Sequence, residues 1–261
     1  GIRYNLLNMN KTIAILLLTL FQLAASNPNS NEQKGLDAIQ QTRLQTHVNF
    51  LASDLLEGRG TGTRGYDLAA LYVASQFELL GLKPGNQNSF YQTISFRKAD
   101  LVPEKCSFKV IRADSTKEFR YGEEYTMPSD YIREEVQLTA PVVFAGFGVT
   151  APELKYDDYA GLDVKGKVVA LIRGGPESFP ASRRAHYSSS RVKDQNAIEH
   201  GAIGIITMRT PEDEKNAPWS RSVRQSKLSA YRWEDENGKP NEVYEQLRGS
   251  ATVNRAGADI L

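Results

Sequence analysis

Residues 60–65 read Gly-Thr-Gly-Thr-Arg-Gly, a literal G-x-G-x-x-G followed directly by helical periodicity. Such a loop cradles a dinucleotide pyrophosphate when it joins a strand to a helix N-terminus, where backbone N–H groups and the helix dipole face the anion. The context here is different. The preceding residues, THVNFLASDLLEGRG, carry helical spacing, and no Lys-Ser or Lys-Thr follows the last glycine. No acidic residue closes a second strand about 20 residues further on. The glycines therefore read as conformational, supplying positive φ and close approach where one helix reverses into another.

Other residues with chemistry to offer are sparse. Of the three histidines, His47, His186 and His200, no two have the i, i+4 spacing of a helical zinc site. The single cysteine, Cys106, excludes an intramolecular disulfide and a Cys-rich zinc site. Asp157, Asp158 and Asp163 lack the ligand spacing of a calcium loop and read as solvated turn carboxylates. The stretch WSRSVRQSKLSAYRW (219–233) interleaves four cations with three aromatics, a pattern that can stack nucleobases or hold a polyanion. With a formal net charge of +1 it reads instead as a surface loop, and no nucleic-acid partner is expected. Ser188, Ser189 and Ser190 stand in no Gly-x-Ser-x-Gly elbow. No catalytic, cofactor-binding or metal-ligating residue is assigned on this reading.

The elements around these residues give an α/β chain. At 261 residues, 40% hydrophobic and 24% charged, it has the makings of one or two globular domains. The N-terminus comes first in the order of processing. Met9 and Lys11 precede an apolar run from Ile13 to Phe21, too short for a membrane span but of signal-peptide length, with Ala24 and Ser26 as a small-x-small cleavage site. Cleavage after Ser26 and export, to the periplasm or the medium, are expected. No cysteine follows for a lipid anchor, and no stable membrane anchor is expected. Leu36, Ile39, Leu44, Val48, Leu51 and Leu55 predict one amphipathic helix or two abutting ones. Leu68, Leu71, Tyr72 and Leu79 predict a further helix that stops at Gly81, before Pro84.

After residue 88 the period changes to two. Phe90, Ile94 and Phe96 predict a strand, as do Cys106, Phe108 and Val110, and residues 113–125 predict a hairpin. APVVFAGFGV (140–149) and GKVVALIRGG (166–175) predict buried strands. Residues 192–208 predict a helix ending at Gly201 and then a strand, which makes a parallel crossover. Residues 210–249 read as a long polar surface loop, and 250–261 as a short strand with the start of a helix. The resulting division is 1–26 upstream residues and signal peptide, 27–100 a helical piece with uncovered apolar faces, and 101–261 a β-rich domain with crossover helices.

The stretch LASDLLEGRGTGTRGYDLAALYVASQFELLGLKPGN resembles the opening segment of the secreted di-zinc aminopeptidases, the family that includes glutamate carboxypeptidase II. Leu51–Arg59, Gly81–Pro84 and FYQ (90–92) match its pattern in order. Residues 142–176 and 193–208 are similar to the two characteristic stretches of the protease-associated domain inserted in many members. The resemblance implies residues 27–100 as the first elements of an incomplete zinc-exopeptidase α/β domain, and 101–261 as the protease-associated domain. It also implies a parent protein with two zinc ions acting on peptide substrates.

The family's ligands are a His-x-Asp, an Asp-Asn-x-Ser-Gly turn, a Glu-Glu pair, an Asp and a His. No histidine here begins a His-x-Asp. Glu134-Glu135 precedes the inserted domain where the family's pair follows it, and reads as the solvated start of a strand. The expectation is therefore an N-terminal portion of an exported aminopeptidase whose ligands lie past Leu261, inactive by itself. The alternatives are a non-catalytic binding protein of this architecture, or a carboxypeptidase or dipeptidase of the same fold.

Overall fold

The computed structural model describes residues 30–261. The expected signal peptide and its cleavage site lie outside the described residues. The chain divides into two compact units between Gln92 and Thr93.

In the first unit the expected amphipathic stretch is broken into α1 (Ser30–Asp37), α2 (Gln41–Leu51) and a 3-10 segment, Asp54–Arg59. That segment is kinked, with Glu57, Gly58 and Arg59 consecutively at positive φ. Then α3 (Arg64–Leu79) starts on Thr63, whose hydroxyl accepts from the Tyr66 N–H and donates to the Gly60 carbonyl. At its far end the Gly81 N–H bonds the Glu78 carbonyl and the Leu82 N–H bonds the Phe77 carbonyl, with Gly81 at φ +72°. This pair of bonds is a Schellman stop, and it explains why the helix ends where the sequence predicts. The G-x-G-x-x-G loop therefore joins a 3-10 segment to a helix. Its last glycine has a packing role: a Cβ on Gly65 would lie 1.8 Å from the Leu56 carbonyl oxygen. Helices α2 and α3 meet where Phe50 stacks on Tyr72, ring centroids 4.1 Å apart.

The second unit is built on strands. In chain order these are β1 (Phe96–Ala99), β2 (Phe108–Ile111), β3 (Thr116–Phe119), β4 (Tyr125–Thr126) and β5 (Val142–Phe144). A small antiparallel pair, β6 (Thr150–Ala151) and β7 (Tyr156–Asp157), leads to β8 (Val168–Ile172). Helices α4 (Ala181–Tyr187) and α5 (Ser190–Glu199) cross to β9 (Gly204–Met208). Then come α6 (Pro211–Asn216), α7 (Trp219–Ser226), β10 (Ala230–Trp233), β11 (Gly249–Val253) and α8 (Arg255–Ala258).

A five-stranded sheet in the order β4-β11-β9-β8-β5 organises the unit. Strands β11, β9, β8 and β5 run parallel, and β4 is antiparallel at one edge. Alternation sends Val169, Leu171 and Ile205 to one face, where Ala197 of α5, Tyr159 and Val164 cover them. Ala170, Ile206 and Val253 face the other way, under Phe119 and Tyr125, with Phe108 of the β2–β3 hairpin packed against them. The parallel crossover expected between 167–172 and 202–208 is formed by α4 and α5.

Three expectations are corrected. The strand read through Phe90, Ile94 and Phe96 is confined to Phe96–Ala99, which belongs to the second unit and pairs antiparallel with β10. Residues 210–249 are no loop, because they carry α6, α7 and β10. Arg209, with its side chain fully enclosed, holds the two helices: it donates to Ser222 Oγ at 2.7 Å and to the Asp213 and Ala217 carbonyls. The Trp219 indole N–H ties α7 to the Gly122 carbonyl at 2.8 Å. Finally, Glu134-Glu135 is solvated but starts no strand, since β5 begins only at Val142.

Candidate functional site

The three histidines are placed in separate surroundings. His47 Nδ1 lies 2.8 Å from the Tyr72 hydroxyl, between α2 and α3. His186 is exposed and packs edge-on against Tyr187. His200 caps α5, stacks on Tyr159 at 4.2 Å between centroids, and places Nε2 3.2 Å from Thr150 Oγ1. Each imidazole is engaged with an aromatic ring or a hydroxyl. Among the described residues no group of three or more His, Cys, Asp or Glu could hold a metal ion. The donor set present thus does not fit a di-zinc centre.

The polar group with the most organised geometry lies at the C-terminal ends of β5 and β8, where open parallel sheets present their ligand-binding crevice. The loop after β5, Gly146-Phe147-Gly148-Val149, folds around Asp158. One Asp158 oxygen accepts the Phe147 and Val149 N–H groups, each at 3.0 Å, and the other accepts the Tyr156 hydroxyl at 2.7 Å. Asp158 is therefore a half-buried acceptor that closes a turn, correcting its reading as a solvated carboxylate. Asp157 (to Thr150 and the Tyr159 N–H) and Asp163 (to Lys167) are the exposed members of that trio. Burial and the Asp158 contact push the Tyr156 phenol up to about 12.

From the other side, α5 brings Lys193 and Asn196 to the same loop. Asn196 donates to the Gly148 carbonyl at 3.1 Å, and Lys193 donates to the Phe147 carbonyl and, at 3.2 Å, to that of Ile172. Lys193 is only 6% exposed, and desolvation lowers its ammonium to about 8, with Asp158 opposing. An amine of that basicity has the electronic character of a general base or a Schiff-base former. The geometry denies it either task. Its N–H donors are directed at two backbone carbonyls, and it lines neither of the two hollows described below, so Lys193 clamps the loop onto the sheet.

Neither Lys193 nor Asn196 was singled out from sequence. A signal was available: Val192, Lys193, Asn196 and Ala197 form one buried helical stripe, and a lysine inside an apolar stripe must find carbonyl or carboxylate partners. The next residue along the helix, Asp194, is held up at about 6 by desolvation first and by Glu242 second, with Arg232 opposing. Glu242 itself pairs with Arg191 at 3.2 Å.

Of the surface depressions, one of about 460 Å³ is lined by Leu101, Pro103, Glu104, Tyr121 and Lys227. Cys106 nearby has its thiol pushed up by burial and then by Glu104, which makes it a poor nucleophile. A second, of about 270 Å³, is bordered by Arg97 and the 237–245 segment. Its Arg97 is already engaged with Glu234 at 2.7 Å and the Gly238 carbonyl at 2.9 Å. At the first hollow the Tyr121 hydroxyl, pushed up by burial, is already bonded to Ser226 Oγ at 2.8 Å.

What the geometry defines is an α/β unit with a clamped loop above a mostly parallel sheet. No protein-family model matches the chain, and no curated protein matches it. Among solved structures it is similar to BSAP, a zinc aminopeptidase from Bacillus subtilis. One BSAP structure aligns at 21% identity over 63% of this chain and 33% of that one, with a TM-score of 0.30. Another aligns at 18% identity over 82% and 40%, with a TM-score of 0.33. The chain thus spans well under half the length of these structures, and superpositions this loose define neither fold nor chemistry.

Proposed function

We propose that this chain is the N-terminal portion of an exported, zinc-dependent exopeptidase that releases N-terminal residues from peptides, with its two zinc ions held by residues beyond Leu261. The observation that carries this reading is the order of the motif blocks along the sequence. Leu51–Arg59, Gly81–Pro84 and Phe90–Gln92 come first, and the 142–176 and 193–208 stretches follow. The fold supports grouping the latter two, because they supply neighbouring strands β5, β8 and β9 of one sheet. On this reading the first unit opens a catalytic domain, the second is a protease-associated insert, and residues 9–26 direct export.

The residues of this chain contribute scaffold and no chemical step. The test is to extend the reading frame and assay the longer product on aminoacyl-anilides with and without zinc. A His-x-Asp followed by Asp-Asn-x-Ser-Gly, with zinc-dependent hydrolysis by the longer product and none by residues 1–261, is the expected result. A downstream frame without those motifs, or hydrolysis by residues 1–261 alone, overturns it.

A further inference from the structure

The two edges of the five-stranded sheet are finished differently. At one edge, β4 is two residues long and both are buried. That is a well-protected edge. At the other edge, β5 is bonded on one side only. The Val168 N–H bonds the Pro141 carbonyl and the Ala145 N–H bonds the Ala170 carbonyl, so the odd-numbered residues of this strand face β8. Alternation then turns the N–H and C=O groups of Val142 and Phe144 outward, and among the described residues no group bonds them.

The same two residues leave their side chains in solvent, Val142 at 47% and Phe144 at 55% exposed, while Val143 between them packs into the core. Natural edges are usually blunted by charge, proline within the strand or a bulge. Here no charged residue occurs between Glu135 and Glu153, and Pro141 stands just before the strand, where it costs no outward donor.

We propose that the free edge of β5 binds an extended peptide as an added strand, with an apolar side chain at alternate positions to cover Val142 and Phe144. Backbone groups projecting from the sheet are satisfied in register only by another extended backbone, and the exposed Val–Phe pair sets the preference for its side chains. A second copy of this chain is the poorer occupant. A stable dimer buries about 800 Å² per partner, far more than a three-residue edge with two exposed side chains provides. The inference rests on the sheet edge and is independent of any peptidase activity in a longer product.

The test is fluorescence anisotropy of the 261-residue chain with a labelled peptide Lys-Val-Thr-Val-Thr-Val-Lys, alongside the same peptide N-methylated at every central amide. Two variants complete it. Val142→Pro removes an outward N–H while leaving the β8 bonds in place, and Phe144→Thr keeps strand propensity but removes the apolar cover. Both are checked by thermal melting. Expected are saturable binding, a loss of at least about tenfold on N-methylation and in Val142→Pro, and a loss of about threefold to tenfold in Phe144→Thr. Equal binding of the N-methylated peptide, no loss in a folded variant, or no binding up to about 1 mM peptide overturns the proposal. A concentration-dependent dimer that Val142→Pro dissolves overturns it as well, by assigning the edge to a second copy.

Discussion

The two units use similar residues to opposite ends. In the first, the only buried hydrophobic side chains among the described residues are Leu56 and Ala74, while Ile39, Val48, Leu55, Leu79 and Leu80 are each more than 60% exposed. In the second, three buried clusters enclose both faces of a sheet. Both have good local structure: α3 is capped at each end as well as any element of the second unit. Local caps and helical periodicity therefore make helices, but burial makes a core.

The largest effect expected from this contrast is kinetic. Arg59 and Arg64 are exposed and flank the glycine-rich turn of the unit with little core. Local opening there is controlled by few buried contacts. Trypsin should therefore cut at these arginines at least about tenfold faster than anywhere in 93–261, leaving a resistant fragment that begins near Thr93. Early loss of the second unit, with 30–92 intact, would invert the comparison.

A second effect is thermodynamic. Leu171 is fully enclosed and Leu55 is 86% exposed. Leu171→Ala should cost about 2–5 kcal/mol in the denaturant unfolding of the second unit, whereas Leu55→Ala should stay within about 0.5 kcal/mol. Equal costs would mean that Leu55 is covered in solution.

The smallest effect concerns pH. Asp194 sits at about 6 in the fold against an ordinary 3.8, so the folded state binds its proton more tightly than the unfolded state does. Its ionisation therefore leaves stability untouched below about pH 4, erodes it as pH rises through 6, and keeps it reduced above. Asp194→Asn should gain about 1–2 kcal/mol over the parent at pH 7, after discounting for partial exposure. The gain should vanish at pH 4. A gap independent of pH would show that the carboxylate is solvated, and that this part of the second unit is as open as the first.

How far these features could be read from sequence depends on the range of the interactions that fix them. Helix α3 and its Gly81 stop are local, and the spacing of Leu68, Leu71, Tyr72 and Leu79 announces them. Strands β8 and β9 are apolar runs bounded by glycine, equally plain, whereas the 140–149 run, expected as a buried strand, forms only Val142–Phe144 at the sheet edge with both end side chains exposed. Helices α6 and α7, of six and eight residues, are below the length at which a helix holds itself in water. Helix α7 is held by the Trp219 indole on the Gly122 carbonyl, 97 residues back, which no window of sequence reports; α6 rests on local bonds, a Thr210–Asp213 capping box and Arg209 on the Asp213 and Ala217 carbonyls. Asp158 was misread for a related reason: its partners at Phe147 and Val149 lie about ten residues back in the chain. In the polar cluster, the carbonyl partners of Lys193 lie 46 and 21 residues away in the chain, so the sequence reading passed over it.

Strand order has a consequence for the life of the chain during synthesis. Strand β11, residues 249–253, lies between β4, made at residue 125, and β9, made at residue 204. Until Val253 has left the ribosome, Tyr125 and Ile206 have no strand between them, and one face of the sheet stays open to water. At elongation rates of about 5–20 residues per second, the interval from Thr126 to Val253 lasts many seconds, long compared with hydrophobic collapse. The second unit therefore closes late, and a nascent chain stalled before residue 249 would be a substrate for chaperones.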